Sequence, residues 1–216
     1  MRGGFVEALM GENASGLAPE ISRSSLDLLI ERARRGDIDA FEGVVIATQR
    51  RVLSTSWRLL GDADRARDAA QEIYLRVFRS LGSFRPDGDF HAWLYGITVN
   101  VCRDSRRRHV ADAGRLTSLD EPDPAGEIPE GGTPATAEED LLAAERRGHV
   151  FAALDTLPPG ERAALVLRDL EGMTSEEAAR VLGSRPGTVR AQISSARSKV
   201  RRYCERAFAG RGGVPS

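Results

Sequence analysis

The segment from Phe84 to Arg108 concentrates the residue types that recognise unpaired nucleic-acid bases. Two phenylalanines border a Pro/Gly turn, and a predicted helix follows that carries aromatic, amide and cationic side chains along one side. On a helix of about 100° per residue, this stripe consists of Trp93, Gly96, Asn100, Arg103 and Arg107. Aromatic rings stack on exposed bases, and cations follow the phosphate backbone of a single strand.

Phe84 and Phe90 lie in the loop that begins this stripe. A pocket made by a loop and a helix can hold a base that has left the stack. Each residue also has a plainer interpretation, since Trp93 and Phe90 suit a buried core and Asn100 suits a hydrogen bond inside a helical bundle. Arginines at a helix end also complement the helix dipole. The prediction of a single-strand interface therefore depends on the stripe as a unit.

The segment from Thr174 to Arg202 has the pattern of a helix-turn-helix. A short helix is predicted over 175–182, a turn over GSRPG, and a longer helix from about Gly187 past Arg202. The predicted core face of the longer helix consists of Val189, Ile193, Ala196 and Val200. The opposite face consists of Ala191, Ser194, Ser195 and Ser198, and the arginines beside it are Arg190, Arg197, Arg201 and Arg202.

Small residues on this face allow the helix to enter the major groove of DNA, while the arginines beside it reach phosphates. Serine and alanine discriminate bases less well than a bidentate arginine does. DNA shape is therefore expected to contribute to specificity. A helical hairpin with a solvated basic face is the alternative interpretation of the same pattern.

Charge is segregated along the chain, although the formal net charge is only −1. Residues 112–145 contain ten acids and one arginine, whereas residues 185–206 contain seven basic residues and one acid. This distribution predicts a C-terminal helix that binds a polyanion and a preceding segment that avoids one.

The apolar positions recur at helical spacing, and helix caps separate them, so the sequence predicts an all-α protein. The predicted N-terminal helices run from Ser25 to Arg35, from Asp37 or Asp39 to Gly61, from Asp62 or Asp64 to Gly82, and over the aromatic and arginine stripe. The inward positions of the third helix are predicted as Ala70, Ile73, Val77 and Leu81, and those of the fourth as Leu94, Ile97, Val101 and Ser105.

Composition divides the chain into two small helical domains joined by a flexible acidic linker. The linker is rich in Pro, Gly and acid and cannot bury enough apolar surface to fold by itself. The predicted parts are a flexible leader over 1–24, a four-helix domain over 25–110, the linker over 111–137, a helix-turn-helix domain over 138–207, and a tail over 208–216.

Several classes of function are disfavoured by the composition. Cys102 and Cys204 form no CxxC pair and have no metal-ligand spacing with the three histidines. They are expected to be reduced, structural thiols of a cytoplasmic protein. No apolar run approaches the roughly 18 residues of a membrane span. We predict no metal, no cofactor, no small-molecule substrate and no direct membrane insertion, and an enzyme is the least favoured class because no nucleophile–base set or phosphate loop is present.

Two segments resemble a known family in order and spacing. The run DAAQEIYLRVFRSLGSFRPDGDFHAWLYGITVNVCRDSRRR resembles region 2 of bacterial RNA polymerase sigma factors of the extracytoplasmic-function (ECF) group. The run LDTLPPGERAALVLRDLEGMTSEEAARVLGSRPGTVRAQISSARSKVRR resembles region 4 of the same group. The resemblance implies a sigma factor that binds core RNA polymerase, through its clamp helices and flap, and promoter DNA. It also implies an anti-sigma factor as a partner.

The resemblance implies a role for particular residues. The polymerase-binding residues it implies are Asp68, Gln71, Glu72, Arg76 and Arg79. Those implied for the melted −10 element are Phe84, Phe90, Trp93, Asn100, Arg103, Arg106 and Arg107. Those implied for the −35 duplex are Arg185, Thr188, Arg190, Ala191, Ser194, Ser195, Arg197, Arg201 and Arg202. The chain departs from the family pattern at Arg67, Gly96, Gln192, Ser194 and Ser195.

Two other classes of protein compete with this interpretation. A stand-alone helix-turn-helix regulator would bind a palindromic duplex as a dimer, but the sequence has no long heptad seam and the first 110 residues would have no role. A protein-interaction module would bind polymerase or an antagonist without starting transcription. Transcription with core polymerase on promoter DNA distinguishes the three classes.

Overall fold

The computed structural model of the protein describes residues 23–85, 87–113 and 148–208. These residues form two compact units, which we call the N-terminal unit, up to residue 113, and the C-terminal unit, from residue 148. Throughout the described ranges, regular structure is helical and no strand occurs. The predicted all-α class with two small helical domains is confirmed.

The predicted domain boundaries are only partly covered by these ranges. Most of the 1–24 leader, of the 111–137 linker and of the 208–216 tail lies outside the described residues, as does the predicted start of the 138–207 domain, whereas residues 23–24, 111–113 and 208 are helical. The boundaries of the domains therefore stay predictions.

The described residues of the N-terminal unit form four helices joined by short connections. They are α1 (Arg23–Arg34), α2 (Ile38–Leu60), α3 (Ala63–Ser80) and α4 (Phe90–Ala113), with a 3-10 turn (Leu81–Ser83) after α3. Asp37 caps α2 by accepting a hydrogen bond from the Ala40 amide at 3.0 Å. Asp62 caps α3 in the same way, from the Arg65 amide at 2.8 Å. These caps satisfy amides that have no partner inside the helix.

The core of the N-terminal unit is apolar and is shared by α2, α3 and α4. Its fully buried members include Val44, Val52, Ile73, Val77 and Val101. Of the predicted inward residues of the third helix, Ile73, Val77 and Leu81 are buried, and only Ala70 is half-buried. The buried alanines of α3 are Ala63, Ala66 and Ala69.

On α4 the predicted stripe of inward residues was too narrow. Ile97 and Ser105 are half-buried, whereas Thr98, Val99 and Cys102 are buried. The physical reason is that α4 packs against both α2 and α3, so its buried arc is wider than the single stripe expected for one neighbouring helix.

Some of the polar groups buried in this core are hydrogen-bonded, whereas the buried Ser56 hydroxyl has no hydrogen-bond partner within the described residues. The Thr48 hydroxyl donates to the Val44 carbonyl at 2.7 Å and lies 3.0 Å from the Tyr74 hydroxyl. Burial raises the pKa of Tyr74 to about 12. Burial also raises the pKa of the Cys102 thiol to about 11, against a smaller opposing effect of the nearby Ser56 hydroxyl. Both groups are therefore held neutral in the folded protein.

The free energy of unfolding of the N-terminal unit should fall as pH rises from about 9 toward 11. The reason is linkage: the Cys102 pKa is raised from 9.0 to about 11 on folding, so the unfolded thiol ionises first. Denaturant titrations at several pH values, followed by the fluorescence of Trp57 and Trp93, measure this fall, because both tryptophans lie in the N-terminal unit. Cys102→Ala should flatten the dependence near pH 9–10, and an unchanged slope in that variant would contradict the assignment.

The C-terminal unit consists of short helices followed by one long helix. The described part of α5 covers 148–155; α6 (Pro159–Leu165) continues into a π-helical segment (Val166–Leu170), and α7 (Ser175–Leu182) and α8 (Pro186–Phe208) follow. The π turn was not predicted. It is closed by a hydrogen bond from the Glu171 amide to the Val166 carbonyl at 3.0 Å, and Gly172 follows it with φ of 73°.

The turn between α7 and α8 has the local chemistry that a tight connection requires. Thr174 and Glu177 form a reciprocal capping box at the start of α7. Gly183 ends α7 in the left-handed region at φ 61°, where a side chain would be strained. The Ser184 amide then donates to the Ala179 carbonyl at 2.9 Å. The predicted helix-turn-helix is thus formed with Ala179 buried at the crossing.

Candidate nucleic-acid interface

The loop before α4 is built to bring Phe84 close to the helix start. Asp89 caps α4, since its carboxylate accepts a hydrogen bond from the Ala92 amide at 3.1 Å and its carbonyl accepts one from the Trp93 amide at 3.0 Å. A Cβ atom at Gly88 would lie 3.2 Å from the Phe84 ring and 3.1 Å from the Arg85 carbonyl oxygen. Glycine at this position therefore lets the loop close over the Phe84 ring.

The three aromatic residues of the predicted pocket form one cluster. The ring centroids of Phe84 and Phe90 lie 5.6 Å apart edge to face, and Trp93 lies 5.1 Å from Phe84 and 5.6 Å from Phe90. Phe84 and Phe90 are buried, and Trp93 is half-buried. The structure therefore places the phenylalanines beneath the tryptophan, and direct contact of Phe84 or Phe90 with a base stays a prediction.

Beyond the aromatic cluster, the next long side chains of the stripe are exposed to solvent. Asn100 and Arg103 are exposed and make no side-chain hydrogen bond or ion pair with another part of the chain that the structure describes. A Cβ atom at Gly96 would meet no atom within 4 Å. Trp93 and Asn100 thus border an open space on one side of α4, as predicted.

The arginines at the end of α4 differ in their surroundings. Arg107 donates a hydrogen bond to Asp104 at 2.6 Å, and this bond holds the pKa of Asp104 below its ordinary value. Arg106 is half-buried, and its charge acts on Arg65. Of the three arginines predicted to contact phosphates, Arg103 is therefore unpaired, whereas Arg106 and Arg107 have charged protein neighbours.

The predicted polymerase-binding residues lie along one side of α3. Asp68, Gln71 and Arg79 are exposed, while Glu72 and Arg76 are half-buried. Arg76 donates to Glu72 at 2.8 Å and lies 3.6 Å from Asp104. Glu72 and Arg76 are therefore joined through Asp104 to the arginine end of α4.

In the C-terminal unit, α8 presents the predicted faces with one exception. The core face of Val189, Ile193, Ala196 and Val200 is buried, as predicted. The exposed predicted residues are Arg185, Thr188, Arg190, Ala191, Ser194, Arg197, Arg201 and Arg202. Ser195 was wrongly grouped with the exposed face, because it is half-buried and its hydroxyl donates to Glu161 at 3.1 Å. A DNA contact by Ser195 stays a prediction.

Two arginines beside the exposed face of α8 are ion-paired within the unit. Arg190 donates to Glu176 of α7 at 2.9 Å, and both side chains are largely exposed. Arg197 makes a bidentate pair with Asp169, with Nε at 2.9 Å and Nη2 at 2.6 Å from the carboxylate. The hydrogen bonds that Arg197 donates to Asp169 raise the pKa of Arg197 further. Among described residues, Arg201 and Arg202 have no side-chain ion pair.

Comparison with known families and proteins gives a consistent result. Sigma-70 region 2 matches residues 44–111, and sigma-70 region 4 matches residues 150–200. The RNA polymerase sigma-H factor of Pseudomonas aeruginosa is 35% identical over 179 residues, which cover 80% of this chain and 90% of that protein. The ECF RNA polymerase sigma-E factor of Escherichia coli K12 is 33% identical over 178 residues, which cover 80% and 91%.

The chain belongs to the ECF sigma factors. This sigma factor binds core RNA polymerase and promoter DNA and directs promoter-specific initiation of transcription. The predicted family is thereby confirmed. Sigma factors are non-enzymatic initiation factors.

Solved structures agree with this assignment. The fold of CnrH, solved in complex with the cytosolic domain of CnrY, matches with a TM-score of 0.58 at 26% identity over 87% of this chain and 98% of CnrH. The fold of the sigma factor RpoE from Bartonella quintana, solved with the anti-sigma factor NepR, matches with a TM-score of 0.61 at 19% identity over 76% and 96%.

The described residues of this sigma factor contain no group of three or more His, Cys, Asp or Glu side chains placed to hold a metal ion. Within the same ranges, none of the helices has the length and apolar character needed to cross a membrane. Cys102 is buried and Cys204 half-buried, and both are free thiols.

Sequence reasoning missed an exposed apolar group on α3 of this sigma factor. Leu75 is 51% exposed and Phe78 is 55% exposed. Phe78 packs edge to face on Phe41 of α2, with ring centroids 5.1 Å apart. On the helical wheel, Leu75 and Phe78 lie on the side of the predicted polymerase-binding residues and away from the core residues Ile73 and Val77. Their place on the wheel could therefore have predicted their exposure.

Proposed function

We propose that the two units of this sigma factor hold promoter DNA in two different states. The α4 stripe and its loop bind the non-template strand of the −10 element after the strands separate, and α8 binds the −35 element as a duplex. The observation that carries this proposal is the half-buried Trp93, supported from below by Phe84 and Phe90 and followed on the same side by the exposed Asn100.

The aromatic cluster suits an unstacked base better than a base pair. Stacking of one base on an aromatic side chain contributes roughly 1–3 kcal/mol and is available only when the base has left the duplex. The packing of Phe84 and Phe90 against Trp93 holds the indole in place before DNA arrives. The unpaired carboxamide of Asn100 is free to recognise a base edge, and Arg103 lies one turn further to meet a phosphate. Binding energy realised only with separated strands offsets the free energy of opening.

On α3, we propose that the exposed side docks on the clamp helices of the polymerase. The polar residues of this surface are Asp68, Gln71, Glu72, Arg76 and Arg79. Leu75 and Phe78 lie among them, and we place them at the apolar centre of the interface. An apolar centre surrounded by polar groups is the usual composition of a protein–protein interface.

For α8, we propose contact with the major groove at the −35 element. Thr188, Ala191 and Ser194 are small and exposed, so the helix backbone can approach the bases. The arginines that flank this face, Arg185, Arg190, Arg197, Arg201 and Arg202, are placed for phosphates.

We also propose the compartment and a further partner of the protein. It works in the cytoplasm, has no active site of its own, and leaves the chemistry of RNA synthesis to the polymerase. An anti-sigma factor is proposed as an antagonist, since CnrH was solved in complex with the cytosolic domain of a second protein, CnrY.

Arg201→Ala should weaken DNA binding several-fold without changing sequence preference. Arg201 is exposed and has no ion pair among the described residues, so its loss removes one phosphate contact and little stability. The slope of log K against log salt should fall by about 1. Holoenzyme binding to a promoter fragment at several salt concentrations measures this slope. Arg201→Lys, which keeps the charge, is the control, and a changed base preference in the alanine variant would contradict a pure phosphate contact.

Run-off transcription on a genomic fragment library tests the proposal as a whole. Purified protein with core polymerase should initiate RNA from a subset of fragments that share −35 and −10 motifs. A stand-alone regulator would instead bind a palindromic duplex without polymerase, and an interaction module would bind polymerase without starting RNA. Either of those results would contradict the proposed function.

A further inference from the structure

Acidic side chains from elsewhere in the C-terminal unit hold α8 on both flanks. On one flank, the Asp169 carboxylate accepts two hydrogen bonds from Arg197, at 2.9 and 2.6 Å. Asp169 lies in the π-helical segment, 28 residues before Arg197, and its side chain is only 21% exposed. The bidentate geometry fixes the guanidinium in orientation as well as in position.

On the other flank, one carboxylate oxygen of Glu161 accepts hydrogen bonds from Lys199 at 2.8 Å and from Ser195 at 3.1 Å. Glu161 belongs to the first turn of α6, and its side chain is 16% exposed. Gln192 adds a close contact on the same flank, since a Cβ atom at Gly160 would lie 2.9 Å from its amide nitrogen. This flank is therefore packed and hydrogen-bonded along about two turns of α8.

The exposed face of α8 lies between these two attachments. Ala191, Ser194 and Ser198 are exposed, and none has a side chain longer than a hydroxymethyl group. With a helix radius of about 5 Å, a rotation of 20° about the helix axis moves such a side chain by about 2 Å. A shift of that size takes a hydrogen bond out of range, and short side chains cannot reach to compensate.

We propose that Asp169 and Glu161 are positioning residues that fix the rotational setting of α8 and thereby its base selectivity at the −35 element. The inference rests on the proposed role of α8 in duplex binding. Neither carboxylate touches DNA in this proposal. Asp169 acts through Arg197, whose Nη1 edge remains available for a phosphate, and Glu161 acts through Lys199 and Ser195.

The test measures the selectivity of holoenzyme for two versions of one promoter fragment. The fragment is selected by run-off transcription with the wild-type protein, and its −35 element is either intact or shuffled. The ratio of the two dissociation constants should fall about tenfold in Asp169→Asn and in Glu161→Gln, equivalent to about 1.4 kcal/mol. Binding to the shuffled fragment should stay unchanged or become tighter, because an acid near the phosphates has been neutralised.

The control is Glu176→Gln, which removes the other arginine partner of α8. The Glu176–Arg190 pair is about 60% exposed on both sides, so this variant should keep the selectivity ratio within about twofold. Arg197→Lys keeps the charge but loses the bidentate pair, and it should lose selectivity as Asp169→Asn does. The double variant with Asp169→Asn and Arg197→Lys should lose no more selectivity than either single variant, because both substitutions break the same interaction.

Loss of binding to both fragments in equal measure would indicate a merely structural role and would overturn the proposal. An unchanged ratio in Asp169→Asn and Glu161→Gln, or an equal loss in Glu176→Gln, would also overturn it. If the wild-type holoenzyme fails to distinguish the two fragments, the proposed role of α8 fails together with the positioning role. If the Asp169 and Glu161 variants keep the selectivity of the wild type, the positioning role is contradicted and the duplex-binding role of α8 is not.

Discussion

Asn100→Ala should slow open-complex formation about tenfold or more while the affinity of the closed complex stays within about twofold. The Asn100 side chain is exposed and has no hydrogen bond within the described residues, so the substitution leaves the fold intact. Loss of one base contact of about 1–3 kcal/mol corresponds to a change of roughly fivefold to 150-fold in the equilibrium for opening. Permanganate footprinting of unpaired thymines measures opening, and gel shift under closed-complex conditions measures duplex binding.

Trp93→Ala should have the same signature with a larger amplitude, since it removes the stacking surface. This variant also removes packing from Phe84 and Phe90, so its thermal midpoint must be measured beside that of Trp93→Phe, which keeps a ring. Gln49→Ala, an exposed change on α2, is the matched control for Asn100→Ala. Equal losses in closed and open complexes would contradict a contact made only with separated strands.

Phe78→Asp or Leu75→Asp should weaken binding to core polymerase by about thirtyfold or more. Apolar residues at the centre of an interface commonly contribute 2 kcal/mol or more, and a buried unpaired carboxylate adds a desolvation cost. Both side chains are about half exposed in the free protein, so the fold should tolerate the change. Fluorescence anisotropy of labelled sigma factor titrated with core polymerase, without DNA, gives the dissociation constant.

Leu28→Asp is the matched control for the polymerase experiment. Leu28 is 68% exposed on α1 and is not among the residues proposed for the polymerase interface, so the same chemical change should leave polymerase affinity within about twofold. A similar loss in Leu28→Asp would indicate a general effect of added negative charge. Normal polymerase affinity in both the Leu75 and Phe78 variants would contradict the proposal that these residues lie in the polymerase interface.

Local chemistry made most of the helices predictable. Asp37, Asp62 and Gly61 mark helix ends because a side-chain cap or a left-handed residue satisfies backbone groups that the helix leaves unpaired. The core face of α8 followed from its narrow 3.6-residue period, and burial of Val189 and Val200 confirms it. These features depend on residues close together in sequence.

Features that depend on distant residues were not predictable in the same way. The ion pair of Asp169 with Arg197 joins residues 28 apart, and that of Glu161 with Lys199 joins residues 38 apart. The burial of Ser195 follows from the second pair. No periodicity encodes such contacts, because they exist only once α6 and its π-helical continuation pack against α8. The buried face of α4, which is wider than predicted, has the same origin, since α4 packs on two helices.

In the proposed function, the α4 stripe binds separated strands while α8 binds duplex. The most direct test compares holoenzyme affinity for three versions of one promoter fragment, each with a paired −35 element. The −10 region is fully paired, carries only the non-template strand, or carries only the template strand. We expect the tightest binding with the non-template strand alone and a loss of that preference in Asn100→Ala. Equal affinity for the three fragments, or a preference for the template strand, would contradict the proposed function.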